Sequence, residues 1–306
     1  MSRALRFDHY GGSEVLHVRE VEDLPPGAGE VRLTVRAAGV NPVDWKILHG
    51  LMASVLPLDF PAGLGSDVAG VVESVGDDVS AFAPGDEVLG SSSTPAYAES
   101  ALAPVQKLTH RPTGVAWEIS GSLAVVVGTA YKTLAMLDVS AGETLLIHAA
   151  SGGVGLAAVQ LAAARGVRVI GTAGERNHEL LSEAGATPVL YGDDLAGRLR
   201  EIAPQGVDAV LDASGRGELG VSVELAGGPD RVLTIAAQDA AEHGVRFHGG
   251  GGGGDTITAL DEVLPLIEAG KFIFPIAGTF SLEQAGEALK ISESGHARGK
   301  LVIVPA

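Results

Sequence analysis

The segment TLLIHAASGGVGLAAVQLAAARG constrains this chain more than any other. Thr144 to His148 has the length and composition of a buried strand, Ala150-Ser151-Gly152-Gly153-Val154-Gly155 follows, and the residues beyond read as a helix. A strand, a glycine-rich turn and a helix in that order form the dinucleotide fingerprint, with Ala150 in place of its first glycine. Gly152 lets the backbone approach a pyrophosphate and Gly155 lets the helix pack closely on the strand. The amides and dipole at the helix start hold phosphate charge. Such a turn also occurs for packing alone, so its meaning depends on what surrounds it.

What surrounds it is a βα alternation running from near Gly121 to about Gly250. Further strands are expected at Val167 to Thr172, Pro188 to Tyr191, Asp208 to Asp212, Arg231 to Ala236 and Val245 to His248, which completes six. Gly166 and Gly185 stand where left-handed helix caps are wanted. The first hundred residues read differently, as short strands between Gly, Pro and Asp turns: ALRFDHY, LHVREVEDL, EVRLTVRAAGV, AGVVESVGDDV and GDEVLGSS. After Asp255, the amphipathic TITALDEVLPLIEAG, then PIAGTFSL, EQAGEALKIS and GKLVIVP, do not continue the alternation. This tail is expected to fold back on the amino-terminal part. The fold class is therefore α/β, a β-barrel-like domain at 1–121 with 251–306 and a doubly wound six-stranded parallel sheet at 122–250, with a ligand cleft between two lobes.

Composition narrows the function. Without cysteine there are no disulfides, thiolate nucleophiles, iron–sulfur clusters or sulfur-ligated zinc. With 38 acidic against 21 basic residues, the net charge of -17 repels nucleic acid and anionic membranes. Neither a secretory signal nor about eighteen uninterrupted apolar residues is found, so a cytoplasmic protein is expected. Glycine, at 43 residues, is the outlier, and Gly249 to Gly254 form an unbroken run that suits a hinge, a lid or a close pass over a ligand.

The next strand bears on which dinucleotide is held. VIGTAGERN has Ala173 where an acid would grip the ribose 2′-hydroxyl of NAD, Gly174 leaves room, and Arg176 can pair with a 2′-phosphate. Glu175 argues the other way, since it could take the ribose hydroxyls. The expected cofactor is NADPH.

Taken together, AAGVNPVDW, GSDVAGVVESVG, APGDEV, AYAE, GTAYKTL, HAASGGVG, VIGTAG, LSEAGA, VLYGDD, DAVLDASG and HARGKLVIVP resemble the zinc-independent quinone oxidoreductase group of the medium-chain dehydrogenase/reductases. The resemblance spans nearly the whole chain and implies a GroES-like catalytic domain, a Rossmann cofactor domain and, as in dimeric family members, a homodimer. The alcohol-dehydrogenase branch ligates catalytic zinc at positions matched here by Asn41, Ser66 and Asp67, none of which reproduces that site. Without a Lewis acid, hydride should go to an electron-poor acceptor, a quinone or an α,β-unsaturated carbonyl. Two other readings remain, an enoyl-thioester reductase of a biosynthetic pathway and a nucleotide-binding regulatory protein with little turnover.

The resemblance places Asn41 and Thr129 near the nicotinamide and Gly152, Gly153, Val154, Gly174, Arg176 and Tyr191 along the cofactor groove; Ser151, Thr172, Ala213, Ala236, Gly249 and Lys300 complete the cofactor set. Asn41 also fits a turn before Pro42, and Lys300 also fits a surface lysine at a strand start. The Asn41 amide and the Ser66 hydroxyl are the candidate contacts to a substrate oxygen, Asp44 orients their loop, and Trp45 and Leu48 on the same loop could wall a flat pocket. His148, on a buried strand, is read as a satisfied core residue.

Overall fold

The computed structural model describes residues 1–249 and 255–305, of Asp255 only the backbone. The chain divides into two compact units, Met1–Val125 with Thr256–Ala306, and Val126–Asp255. Both divisions fall a few residues after the 121 and 250 expected from sequence.

In the first unit, β1 (Ser2–Arg6) pairs antiparallel with β2 (His17–Val21). The long β3 (Glu30–Val40) alternates buried and half-buried residues over its first half and is buried throughout its last four, as a strand does when covered on both faces. It leads into α1 (Pro42–Leu48), then β4 (Asp67–Val75), β5 (Glu87–Ser91), β6 (Ser100–Pro104), β7 (Leu108–His110) and the single turn α2 (Trp117–Ser120). The stretch that forms α1 reads from sequence as a loop, and the structure makes it a helix. Asn41 occupies its N-cap, Pro42 its first turn, and the Asp44 carboxylate accepts the Asn41 backbone N–H at 2.7 Å. Those three residues are a helix-start signature that was present in the sequence.

The unit boundary lies within α3 (Ala124–Leu137). In the second unit follow β8 (Thr144–His148), α4 (Gly153–Ala164), β9 (Arg168–Ala173), α5 (His178–Glu183), β10 (Ala186–Leu190), α6 (Leu195–Ile202), β11 (Ala209–Asp212), α7 (Leu219–Leu225), β12 (Val232–Thr234) and β13 (Arg246–Phe247). The strands form one parallel sheet in the order β10-β9-β8-β11-β12-β13, so the winding direction reverses between β8 and β11. This is the doubly wound sheet expected, and strand ends moved by only one or two residues. Gly166 and Gly185 adopt φ of 77° and 97°, as left-handed caps must.

The tail, α8 (Asp255–Glu268), β14 (Ile276–Phe280), α9 (Ala285–Ser294) and β15 (Lys300–Ile303), returns to the first unit. β15 pairs antiparallel with residues 38–40 of β3, while residues 30–34 of β3 pair with β6, so one strand serves two partners in succession. Leu301, Val302 and Ile303 are buried, and Leu301 and Ile303 join Leu5, Phe7, Leu33, Val35 and Tyr97 in one core. Among the described residues no helix is long and apolar enough to cross a membrane.

Candidate active site and cofactor cradle

The fingerprint turn has the geometry its residues imply. Ala150 is buried and donates its N–H to Thr172 O at 3.0 Å, tying the turn to β9. A Cβ on Gly155 would stand 2.4 Å from Ala149 O and 2.8 Å from Ala150 Cα, so only glycine lets α4 approach β8 this closely. At Gly152, which is exposed, a Cβ would meet only Ala149 O, at 3.3 Å. No side chain caps α4, which leaves its first amides available to an anion.

Five of the other residues expected to hold cofactor stand at the same end of the sheet. Gly174 directly follows β9, Tyr191 follows β10, Ala213 follows β11, Ala236 lies two residues past β12, and Gly249 two past β13. In an open parallel sheet the carboxyl ends of the strands are where ligands bind. Tyr191 is 44% exposed, and a Cβ on Gly174 would lie 3.6 Å from its ring and hydroxyl. Arg176 is exposed on the 3-10 turn that follows, Gly153, Val154 and Ser151 are half-buried at the α4 start, and Thr129 is half-buried on α3. Asn177, which sequence reading missed, donates to Ser151 Oγ at 3.0 Å and joins the turns after β8 and β9.

Thr172 departs from its expected role. It is 2% exposed, and its hydroxyl accepts the Ala149 N–H at 3.3 Å and lies 3.2 Å from His148 Nδ1, so it braces the turn from inside the sheet. His148 bonds Ser222 Oγ at 3.0 Å through its other nitrogen, and burial lowers its pKa against the pull of Glu218 and Asp212. It is a satisfied core residue. Asp212, also missed, accepts the N–H groups of Ser214 and Gly215 at 2.9 and 3.1 Å and the Thr234 hydroxyl at 2.7 Å, fixing the loops after β11 and β12. Of the run Gly249 to Gly254, all but Gly249 lies outside the described residues.

The first unit holds a buried polar chain. Lys300 Nζ donates to Asn41 Oδ1 at 2.7 Å and to Val40 O at 2.8 Å. Asn41 Nδ2 donates to Asp67 Oδ2 at 2.9 Å, and the other Asp67 oxygen accepts the Val125 N–H at 2.8 Å. Asp44 accepts the Tyr97 hydroxyl at 2.8 Å. Burial raises the Asp44 pKa to about 6 against the hydrogen bonds from Asn41 and Tyr97. It raises Asp67 against the opposing pull of Lys300, and it lowers Lys300 against the pull of both carboxylates.

Three expectations change here. Asn41 is 2% exposed with both ends of its amide engaged, so it holds the site together and is not an open donor to substrate. Lys300 is not a snorkelling surface residue, for its ammonium points inward. Leu48 is 1% exposed within the core and walls no pocket. Trp45 remains half-buried, edge-on to the His49 ring at 5.9 Å, with its indole N–H unpartnered. Ser66, half-buried just before β4, keeps a hydroxyl with no hydrogen-bond partner among the described residues, while its carbonyl is held by the Ser92 N–H at 2.9 Å.

Residues 27–138 match the family model described as the alcohol dehydrogenase GroES-like domain, and residues 184–303 the one described as zinc-binding dehydrogenase. A chloroplastic quinone oxidoreductase, QR1, of Triphysaria versicolor is 33% identical over all of this chain and 99% of its own length. The quinone oxidoreductase of Pseudomonas aeruginosa is 33% identical with both chains fully covered. The chain belongs to the quinone oxidoreductase group of the medium-chain dehydrogenase/reductases. Among solved members of this fold, the Coxiella burnetii quinone oxidoreductase superposes with a TM-score of 0.87 at 28% identity, covering 100% of this chain and 99% of its own. Mycobacterial Rv1454c complexed with NADPH gives 0.86 at 29% identity with both chains fully covered. The GroES-like and Rossmann-type domains read from sequence are thus those of the family.

The zinc in one model's description does not fit the residues present. Asn41, Ser66 and Asp67 offer an amide, a hydroxyl and a carboxylate, and the amide oxygen that would face a metal already accepts from an ammonium. Among the described residues no three His, Cys, Asp or Glu side chains gather into a metal site.

Proposed function

We propose that this oxidoreductase uses NADPH, without zinc, to reduce a quinone or an α,β-unsaturated carbonyl. The observation that carries the cofactor choice is the end of β9, where Ala173 replaces the acid that would favour NAD and Gly174 opens onto the Tyr191 ring beside the exposed Arg176. In this reading the backbone at Gly152, Gly153 and Val154, with the uncapped amides of α4, holds the pyrophosphate. Ser151 is steadied by Asn177, and Arg176 pairs with the 2′-phosphate under the Tyr191 ring. Thr129, Ala213, Ala236 and Gly249 border the remainder of the cofactor.

Reduced nicotinamide supplies the hydride when bound. The Ser66 hydroxyl, with no partner among the described residues, donates to the acceptor oxygen as negative charge grows there, and the half-buried Trp45 offers the substrate an apolar face. With Asn41 Oδ1 already accepting from the Lys300 ammonium, Asn41, Ser66 and Asp67 are poorly suited to hold a Lewis acid that would activate an alcohol, which supports an acceptor that is already electron-poor. The buried Asp44 and Asp67 are engaged within the protein, so the final proton comes from water.

Fluorescence titration with NADPH and NADH, in the parent and in Arg176→Ala, tests the cofactor. A charge-assisted phosphate contact corresponds to about tenfold or more in affinity, so the parent should favour NADPH by that factor and the variant should lose most of it. Equal affinities in the parent would refute the assignment. Stopped-flow loss of nicotinamide absorbance with 1,4-benzoquinone and with a simple enone tests the reaction. Binding without reduction of either would favour a nucleotide-binding role over catalysis.

A further inference from the structure

The amide of Asn41 lies between two groups of opposite hydrogen-bonding character. Lys300 can only donate and the ionised Asp67 can only accept, at 2.7 and 2.9 Å from Oδ1 and Nδ2 respectively. Turning the amide over would set its NH2 against the ammonium and its oxygen against the carboxylate. One orientation is therefore fixed by two buried charges, where a neutral partner able to play both roles would permit either.

The consequence passes to Asp67. Its two oxygens are held by Asn41 Nδ2 and by the Val125 N–H, so its position at the head of β4 is set from both sides. Ser66 is the preceding residue, and its carbonyl is held by Ser92. Asp67 and the Ser92 bond thus hold the backbone on the carboxyl side of Ser66, and the Ala96 N–H holds the Gly65 carbonyl at 3.0 Å on the other, around a hydroxyl that has no partner among the described residues. We infer that Lys300 is a positioning residue for the reaction, acting through the Asn41 amide and Asp67 to hold Ser66 where its hydroxyl meets the acceptor oxygen.

This rests on the reading of Ser66 given above. Lys300 itself is 6% exposed and its ammonium is bonded to Val40 and Asn41, so it reaches the acceptor only through this chain. The charged and titratable groups facing it are Asp67 on β4 and Asp44 on α1, with Tyr97 behind Asp44. Among the described residues no second cation acts on it.

The test is a double-mutant cycle of Lys300→Met and Ser66→Ala in the full chain, with 1,4-benzoquinone at saturating NADPH and NADPH affinity measured separately. Removing a donor aimed at a developing oxyanion costs about a hundredfold in kcat, so Ser66→Ala should lose about that much. Lys300→Met should lose about tenfold or more in kcat, with NADPH affinity within about twofold of the parent. In the Ser66→Ala background, Lys300→Met should cost nothing further. Losses that multiply would mean Lys300 acts independently of Ser66 and would overturn the inference, as would an unchanged kcat in Lys300→Met or a matching fall in NADPH affinity. If Lys300→Met does not fold, Lys300→Gln takes its place, because an amide keeps a hydrogen bond but cannot impose one orientation on Asn41. It should show the same loss, and a parent-like kcat would refute the inference. A parent that binds NADPH but reduces no quinone would instead sink the proposed function.

Discussion

Asp44 sits on the first turn of α1 with its carboxyl buried, accepting from the Asn41 backbone and the Tyr97 hydroxyl, with Lys300 and Asp67 as the nearest charges. Burial outweighs those hydrogen bonds and lifts its pKa from 3.8 to about 6. The folded state thus binds this proton more tightly than the unfolded one, and the stability gained is fully present below the unfolded value and lost as pH rises through about 6. Asp67 is raised for the same cause and adds in the same direction. An Asp44→Asn variant keeps an oxygen for both donors and has no charge to bury. Relative to the parent it should gain on the order of 2 kcal/mol in urea unfolding between pH 4 and pH 7. A difference that does not change with pH would show that the carboxyl is solvated in the folded protein.

At the scale of elements, the two units differ in how locally they are built. In the second unit β8, β9, β10 and β11 are each followed within about a dozen residues by a helix, and the cofactor cradle arises from consecutive turns at one edge. The first unit depends on β15, which arrives from the far end of the chain to pair with β3 and brings Lys300 to Asn41. Three buried apolar side chains on β15 contribute roughly 1.5–3 kcal/mol each, and losing Lys300 leaves Asn41 Oδ1 without its donor. That sum approaches the whole stability of an ordinary domain. Truncation before Lys300 should therefore unfold the first unit. Limited proteolysis is expected to digest Met1–Val125 while a fragment spanning Val126–Asp255 resists, and survival of both would show that β15 is dispensable.

Over the whole molecule, what the sequence disclosed follows this division. The Rossmann strands, the caps at Gly166 and Gly185 and the fingerprint turn depend on neighbours within a few dozen residues, so pattern and turn chemistry were enough to read them. The network of Lys300, Asn41, Asp67, Asp44 and Tyr97 joins residues up to 259 apart, and no local pattern marks Lys300 as buried. Thr172 and Leu48 were misjudged for a related reason, since the side of an element that a residue faces is settled by its packing.

The charge of -17, by contrast, is a property of the whole chain and its effect on folding can be argued directly. Mutual repulsion among excess carboxylates opposes the compact state and is screened beyond about 10 Å at 0.1 M salt. The exposed ion pairs, among them Arg19 with Asp8 and Arg200 with Glu224, weaken under the same screening but contribute about 0–1 kcal/mol each. Repulsion summed over the molecule should outweigh them, so Tm is expected to rise as sodium chloride increases from about 10 mM to 200 mM. A Tm that falls over that range would mean the surface pairs, and not the excess charge, dominate the electrostatics of the fold.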